Sequence, residues 1–430
     1  MKVHLLGIGG TGVSALARVY LARGDEVSGC DVNESTTTAE LEDAGVRVEI
    51  GHDPEHVLFQ DLIVYSGAIK GSPELDAARA MGVRVLSRAE ALAELIADSD
   101  SIAVGGSAGK TTVTYMIGHI LTEAGYDPTM LVGDGSSSRA GRSRWLVAEV
   151  DESDGSLVLH HPKRAVITNI ELDHTDHFKD AEGVRDVFAK FVAGLPADGL
   201  AVLCADDERA RSLETPARRV TYGFSDQADY RCDDGRPFAI HHLGRELGRV
   251  NLRQPGRHNV QNATGAAAIA LEVGVSFADV AGALERFPGA HRRLEFLGAF
   301  QGASVYDDYG HHPSKVRATL QAARELRHRR VIVVFQPHRY SRLAALMHDF
   351  SRAFTAADKV LLLDVYSAGE DNPTGVQATD LADQLPNGTY VGDFKSAREV
   401  LENLVGPGDL LLLMGAGDIR KLGDELAQRV

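Results

Sequence analysis

The sequence predicts an α/β protein of three domains: a Rossmann-like N-terminal domain, a central P-loop ATPase-type domain with a mostly parallel sheet, and a C-terminal Rossmann-like α/β domain. Three observations carry this. Apolar runs of strand length alternate with helical patterns along the chain, which is the arrangement that builds parallel sheets. At 430 residues the chain is too long for one core, since domains usually hold roughly 100–200 residues. Two strand-to-helix junctions carry glycine-rich turns, "GIGGTG" at 7–12 and "VGGSAGKTT" at 104–112.

Taken in order, "KVHLLGIGGTG" reads as a buried strand entering a glycine turn, and "VSALARVYLARG" as a helix stopped by Gly24. "EVSGCD" and "DLIVYSG" supply further strands, and "RAEALAELIADSD" closes a first domain at 1–98. The second domain, 99–289, begins with the strand "SIAV", the glycine loop and the helix "KTTVTYMIGHILTEAG". It continues through the strands "RWLVAEV", "RAVITNI" and "GLAVLCA". Residues 220–253 are poor in helix formers and suggest a small antiparallel excursion before the alanine-rich helix in "GRHNVQNATGAAAIALEVG". The basic stretch "GAHRRLEF" marks the boundary of a third domain, 290–430, whose strands are "VIVVFQP", "KVLLLDVY" and "DLLLLMG".

Composition narrows the function classes. Hydrophobic residues make up 44% and charged residues 25%, as in soluble globular proteins. A formal net charge of −16 argues against a nucleic-acid or anionic-membrane binder, which needs a basic face. Cys30, Cys204 and Cys232 show no metal-ligand spacing and read as buried thiols in a reducing compartment. No apolar run reaches the roughly 18 residues of a membrane helix. Gly7, Gly9, Gly10 and Gly12 interrupt what would otherwise resemble a signal peptide, so a cytoplasmic protein is expected.

The chemistry concentrates at strand ends. In a full Walker A loop the first glycine would fall at Val104, so the arc here is shorter. Even so, Gly106, Ser107, Ala108 and Gly109 lie between a strand and a helix start, where backbone N–H groups and the helix dipole gather around an anion. Lys110 would reach phosphate oxygens, Thr111 would offer a hydroxyl to Mg²⁺, and Thr112 completes the turn. "WLVAEVDESD" ends an apolar strand on carboxylates, of which Glu149 is nearest the strand; "VITNIELDHTDH" delivers His174 to the same edge. Together, Lys110, Glu149 and His174 describe a site for ATP with Mg²⁺, and the metal ligands expected are Thr111, Glu149 and His174. "GIGGTG" with Asp31 about 20 residues on satisfies the dinucleotide fingerprint, which suits a nicotinamide-dependent dehydrogenase. It suits a UDP-sugar equally, held by Gly9, Gly10, Thr11, Gly12 and Asp31, with Ser66 at the end of "DLIVYSG". In the third domain, "YDDYGHHPSK" and "FQPHRYSR" place His311, His338, Arg339 and Arg342 after strands, and arginine is suited to bidentate capture of a carboxylate.

The set of motifs resembles the Mur ligase family: "GIGGTGVSALA", "GKTTVT", "AEVDESD", "TNIELDH", "PGRHNVQNATGA", "RRLEFLG", "VYDDYGHHPSKV", "FQPHRYSR" and "DVYSAGE" occur in the family's order. The resemblance implies three α/β domains that bind a UDP-sugar, ATP and an amino acid in turn. It implies amide formation between UDP-N-acetylmuramate and L-alanine through an acyl phosphate. Carried onto this chain, Lys110 and Thr111 bind phosphate and Mg²⁺, with Glu149 and His174 as further metal ligands. His258, Asn259 and Asn262 resemble the adenine-binding group, and Asp308 a ribose contact. Arg292 or Arg293 would reach the γ-phosphate on domain closure. Tyr309, His311, His338, Arg339 and Arg342 match positions that receive the amino acid, His311 and the two arginines among the catalytic group. A monomer or weak homodimer is expected. A murein tripeptide ligase is the rival within the family; outside it the rivals are the nicotinamide-dependent dehydrogenase and a non-catalytic nucleotide-binding module. Two departures stand out: Ala108 where the family's loop usually has histidine, and His291 where glycine is common.

Overall fold

Four consecutive buried residues, Val3 to Leu6, make the first strand, which has no exposed face beyond Lys2. In the computed structural model, which describes residues 1–133, 138–153, 155–172 and 178–427, this strand is the centre of a five-stranded parallel sheet. Its members are β1 (Lys2–Leu6), β2 (Glu26–Asp31), β3 (Arg47–Ile50), β4 (Leu62–Tyr65) and β5 (Arg84–Ser87), in the order β3-β2-β1-β4-β5. The order reverses between β1 and β4, and ligands bind α/β sheets at such a switch point. The glycine turn after β1 and Ser66 after β4 both emerge there. Strands β3 and β5 are four residues each and half-exposed, which is why their sequences carry little apolar signal.

The second sheet has nine strands: β6 (Asp100–Gly105), β7 (Thr129–Leu131), β8 (Trp145–Glu149), β9 (Arg164–Ile167), β10 (Leu200–Cys204), β11 (Arg218–Gly223), β12 (Tyr230–Cys232), β13 (Phe238–His242) and β14 (Arg245–Val250). Its order is β14-β13-β12-β11-β10-β9-β6-β8-β7. Strands β7 to β12 and β6 pair in parallel, and β12-β13-β14 form the expected antiparallel excursion. Strand β6 lies between β8 and β9. The loops after these three strands, which carry the glycine loop, the acidic run and "TNIE", are therefore neighbours at one sheet edge.

The third sheet contains β15 (Glu295–Phe300), β16 (Ala303–Asp308), β17 (Val331–Phe335), β18 (Lys359–Leu363), β19 (Gly388–Gly392) and β20 (Leu410–Met414), in the order β15-β16-β20-β17-β18-β19. All pairs are parallel except β15 with β16. Val331, Val333 and Phe335 enter one apolar cluster and Ile332 and Val334 the other, so both faces are covered. That explains the unbroken apolar runs in these strands, because side chains alternate between two dry faces.

The chain forms two compact units. One comprises Met1–Glu171, Ala181–Asn251 and Asn262–Phe287, with the first two sheets; the other comprises Leu172–Asp180, Leu252–Gln261 and Pro288–Val430, with the third sheet. Among the described residues no helix is long and apolar enough to cross a membrane.

Candidate active site

The phosphate loop is built by steric necessity at two glycines. Gly106 has φ +139°, and a Cβ there would lie 2.0 Å from Thr168 Oγ1; Gly109 has φ +86°, and a Cβ there would lie 2.7 Å from Asn262 Oδ1. The loop is strapped to the segment after β9. Ser107 N–H donates to the Asn169 carbonyl at 2.9 Å, and Ser107 Oγ donates to the Glu171 carbonyl at 3.0 Å while accepting from Glu171 N–H at 2.9 Å. Both backbone groups of Ala108 are taken by the Asn169 amide, whose Oδ1 accepts from Ala108 N–H and whose Nδ2 donates to its carbonyl, each at 2.9 Å. Thr168 Oγ1 donates to the same carbonyl at 2.6 Å.

Lys110 opens the helix Lys110–Glu123, with the buried Thr111 and Thr112 behind it. Its Nζ lies 2.6 Å from Glu152 Oε2 and 3.5 Å from Asp151 Oδ1. Burial alone would lower the lysine pKa, but the carboxylates of Glu152, Asp151 and Glu149 outweigh it and hold the ammonium charged. Thr111 Oγ1 donates to Glu149 at 3.0 Å, and Glu149 Oε2 also accepts from Gly133 N–H at 2.7 Å. A hydroxyl touching a carboxylate is a hard-oxygen donor pair of the kind Mg²⁺ takes, so these two residues fit that ion. His174 lies outside the described residues.

In the first sheet, Gly9 N–H donates to Asp31 Oδ2 at 2.9 Å, while Asp31 Oδ1 accepts from Val32 N–H at 2.8 Å. Gly10 caps the helix Thr11–Ala22 without a side chain, leaving the helix start open to an anion. A Cβ on Gly12 would lie 2.8 Å from Arg88 Cδ, so glycine there makes room for an arginine stem. Gly10, Thr11, Gly12, Ser66 and Arg88 line a cavity of about 330 Å³ together with Gly133, Glu149, Asp151 and His160. The glycine turn of the first sheet and the carboxylates of the second thus face one space.

Asn262, on the helix Arg257–Glu272, is buried against the phosphate loop. In the other unit, Asn259 Nδ2 donates to the Pro255 carbonyl at 2.7 Å, and burial pushes the His258 imidazole down to about 4.

The paired arginines stand just before the third sheet and differ in what holds them. Arg292 is anchored: its Nε lies 3.0 Å from the buried Asp307 Oδ2, and its Nη2 donates to the Gly415 carbonyl at 2.7 Å. Both guanidinium groups lie over the Tyr309 ring, Arg292 at 5.0 Å and Arg293 at 5.3 Å from its centroid. Asp308 is buried, and burial pushes its carboxyl up. Its oxygens accept from Leu294 N–H, Gly310 N–H and Thr319 Oγ1, so it also shapes the turn that presents Tyr309.

Strand β20 lies between β16 and β17, which brings the loops after the latter two together. The rings of Tyr309 and His311 are perpendicular at 5.3 Å, His311 and His338 are 5.8 Å apart, and His338 stacks on Tyr366 at 5.6 Å. Arg342 is buried and its Nη1 contacts His338 Nδ1 at 3.2 Å. Arg339 has φ +68° and donates its N–H to the Tyr366 carbonyl at 2.8 Å; its Nη1 lies 3.5 Å from Glu370 Oε1. A non-glycine residue in the left-handed region is held there by its surroundings, often at a binding corner. Sequence reasoning missed Arg88, His160, Glu152 as the partner of Lys110, Asn169, Tyr366 and Glu370. "DVYSAGE" and "TNIELDH" did contain three of them.

Comparison with known proteins decides among the readings. Three family profiles match in succession: Mur ligase family, catalytic domain, over residues 2–100; Mur ligase middle domain over 104–270; and Mur ligase, glutamate ligase domain, over 292–417. A UDP-N-acetylmuramate–L-alanine ligase of Desulfatibacillum aliphaticivorans is 41% identical, covering 100% of this chain and 98% of its own length. The chain belongs to the Mur ligase family. A Rubrobacter xylanophilus ligase of the same name is 44% identical and covers 100% of both. Among solved Mur ligases, the UDP-N-acetylmuramate-alanine ligase of Thermotoga maritima superposes with a TM-score of 0.82 at 28% identity, over 99% of this chain and 98% of that one. The murein peptide ligase of Psychrobacter arcticus gives 0.71 at 25% identity, over 99% and 98%. The Mur ligase fold accounts for all three sheets, whereas a dehydrogenase would account for the first alone.

Proposed function

We propose that this chain joins the lactyl carboxylate of UDP-N-acetylmuramate to the amine of L-alanine, with ATP hydrolysed to ADP and phosphate, in peptidoglycan precursor synthesis. The observation that carries this is full-length identity of 41–44% to ligases of that name. The shared cavity supports it: a UDP-sugar on the Gly10–Gly12 turn would direct its carboxylate toward Glu149 and the phosphate loop. Arg88 is suited to its diphosphate.

A carboxylate is a poor electrophile, so it must first take the γ-phosphoryl group. Lys110 is fixed and charged where that phosphate would lie, and the uncapped start of its helix after Gly109 adds the dipole that favours an anion there, whereas the Ser107 and Ala108 N–H groups are taken by Asn169. Thr111 and Glu149, with His174, would hold Mg²⁺, which neutralises phosphate charge when bound. The amine of alanine then attacks the acyl phosphate and displaces inorganic phosphate. Arg342 and Arg339 would hold the alanine carboxylate beside Tyr309, His311 and His338; Arg339 would exchange Glu370 for it. His258, Asn259 and Asn262 would take the adenine, Asp308 the ribose, and Arg293, rather than the anchored Arg292, the γ-phosphate. The site needs cytoplasmic ATP.

Phosphate release from ATP, measured with UDP-N-acetylmuramate and a panel of amino acids, tests the reading. Release should depend on L-alanine, with serine and glycine weaker, because a missing methylene in glycine or an added hydroxyl in serine is worth only about 1–3 kcal/mol in such a pocket. Release that required a tripeptide instead would assign the chain to the murein peptide branch.

A further inference from the structure

Beneath the glycine turn of the first sheet lies a cluster that the ligase reaction does not use. His4 on β1 and Cys30 on β2 are fully buried, and Glu74, from the helix Pro73–Met81, is buried beside them. One donor atom from each of His4, Cys30 and His56 lies within 4.8 Å of the other two. Cys30 Sγ is 3.8 Å from Glu74 Oε1, and His56 Nδ1 is 3.7 Å from the same oxygen. In a tetrahedral centre with bonds of about 2.0–2.3 Å, ligand atoms sit roughly 3.3–3.8 Å apart.

The imidazoles are oriented as ligands are. His4 Nδ1 is anchored to Ser28 Oγ at 2.9 Å and His56 Nε2 lies 2.8 Å from Glu49 Oε2. The other nitrogen of each, His4 Nε2 and His56 Nδ1, is buried with no hydrogen-bond partner among the described residues, and so is Glu74 Oε2. A ring held by an outer hydrogen bond with its second nitrogen bare, as His4 is by Ser28, is the usual state of a metal-ligating histidine, and the Glu49 carboxylate stands in the corresponding outer place beside His56. We propose that His4, Cys30 and His56 form a binding site for a divalent transition metal ion, zinc(II) by the softness of its sulfur and imidazole donors, with Glu74, which is held by His52 and the Asp53 N–H, as its acidic neighbour.

Burial holds the His4 imidazole down to about 4, hence neutral with a lone pair to give. The Cys30 thiol, pushed up to about 12, would release its proton to water as the Sγ–metal bond forms. The Cys30 carbonyl accepts from Gly7 N–H at 2.8 Å and Ile8 N–H at 3.1 Å. An ion on this cysteine would therefore brace the turn that carries Gly9 to Gly12.

Titration of the chelator-treated full-length protein with cobalt(II) tests the site apart from activity. One equivalent should give a sulfur-to-cobalt charge-transfer band and intense tetrahedral visible bands, both displaced by zinc(II). The oxygen ligands of the Mg²⁺ site cannot produce the sulfur band. Cys30→Ser should abolish that band, and His56→Asn, at a partly exposed position, should weaken binding about tenfold or more. Absence of the sulfur band, or the same spectrum and affinity in both variants, would overturn the proposal.

Discussion

Lys110 is set in place by a carboxylate that no phosphate-binding argument requires. Glu152 is 1% exposed and its Oε2 holds the ammonium at 2.6 Å. Removing one member of a buried pair strands the other's charge, whereas removing both is nearly neutral. Lys110→Met should therefore abolish turnover and also lower stability by about 3 kcal/mol. The double variant Lys110→Met, Glu152→Gln should recover most of that stability in urea denaturation and none of the activity. If the double variant unfolds as easily as the single one, the ion pair is not what orients the lysine. Composition and spacing gave Lys110 a role but could not supply its partner, because "VDESD" offers three acidic groups with no sign of which one turns inward.

Among the elements, the phosphate loop depends on the segment after β9 more than on its own residues. Asn169 closes a two-bond amide ring on Ala108, holding the loop by backbone alone at the position where the family usually has histidine. That makes the Ala108 departure intelligible: nothing in the strap needs a side chain at 108. Asn169→Ala should leave both Ala108 groups under-partnered and raise the KM for ATP roughly tenfold, the equivalent of one or two lost hydrogen bonds. Steady-state kinetics at saturating UDP-sugar and alanine would show it, and an unchanged KM would mean that Thr168 suffices. Long apolar strands and both glycine turns were legible in the sequence, since burial on two faces leaves an unbroken apolar run. The half-exposed β3 and β5 and the strap itself were not, because their residues are chosen by neighbours distant in sequence. The same holds for His4, Cys30, His56 and Glu74, which come from four elements with no shared spacing.

At the scale of the whole molecule, the unit containing the third sheet is closed by charge at the point where its chain enters. Glu295 on β15 accepts from Arg292 N–H at 2.9 Å and pairs with His291 at 2.9 Å and Arg420 at 2.8 Å, joining the start of the unit to its last helix, Arg420–Leu426. His291 thus has a structural role that a glycine could not fill. Burial would raise the Glu295 carboxyl, but His291, the Arg292 N–H and Arg420 outweigh it and hold it down to about 2. A carboxylate with a depressed folded-state pKa stabilises fully above its unfolded value of 4.5, and that stabilisation is lost as pH falls toward about 2. Replacing it by the neutral isostere should remove the effect at its source. Wild type should exceed Glu295→Gln by about 2 kcal/mol above pH 5, and the gap should shrink through pH 4 and 3 toward nothing near pH 2. Urea denaturation followed across this range reads the gap directly. A difference that stayed constant with pH would show that Glu295 acts by packing and hydrogen bonding, with its charge contributing nothing to closure of the unit.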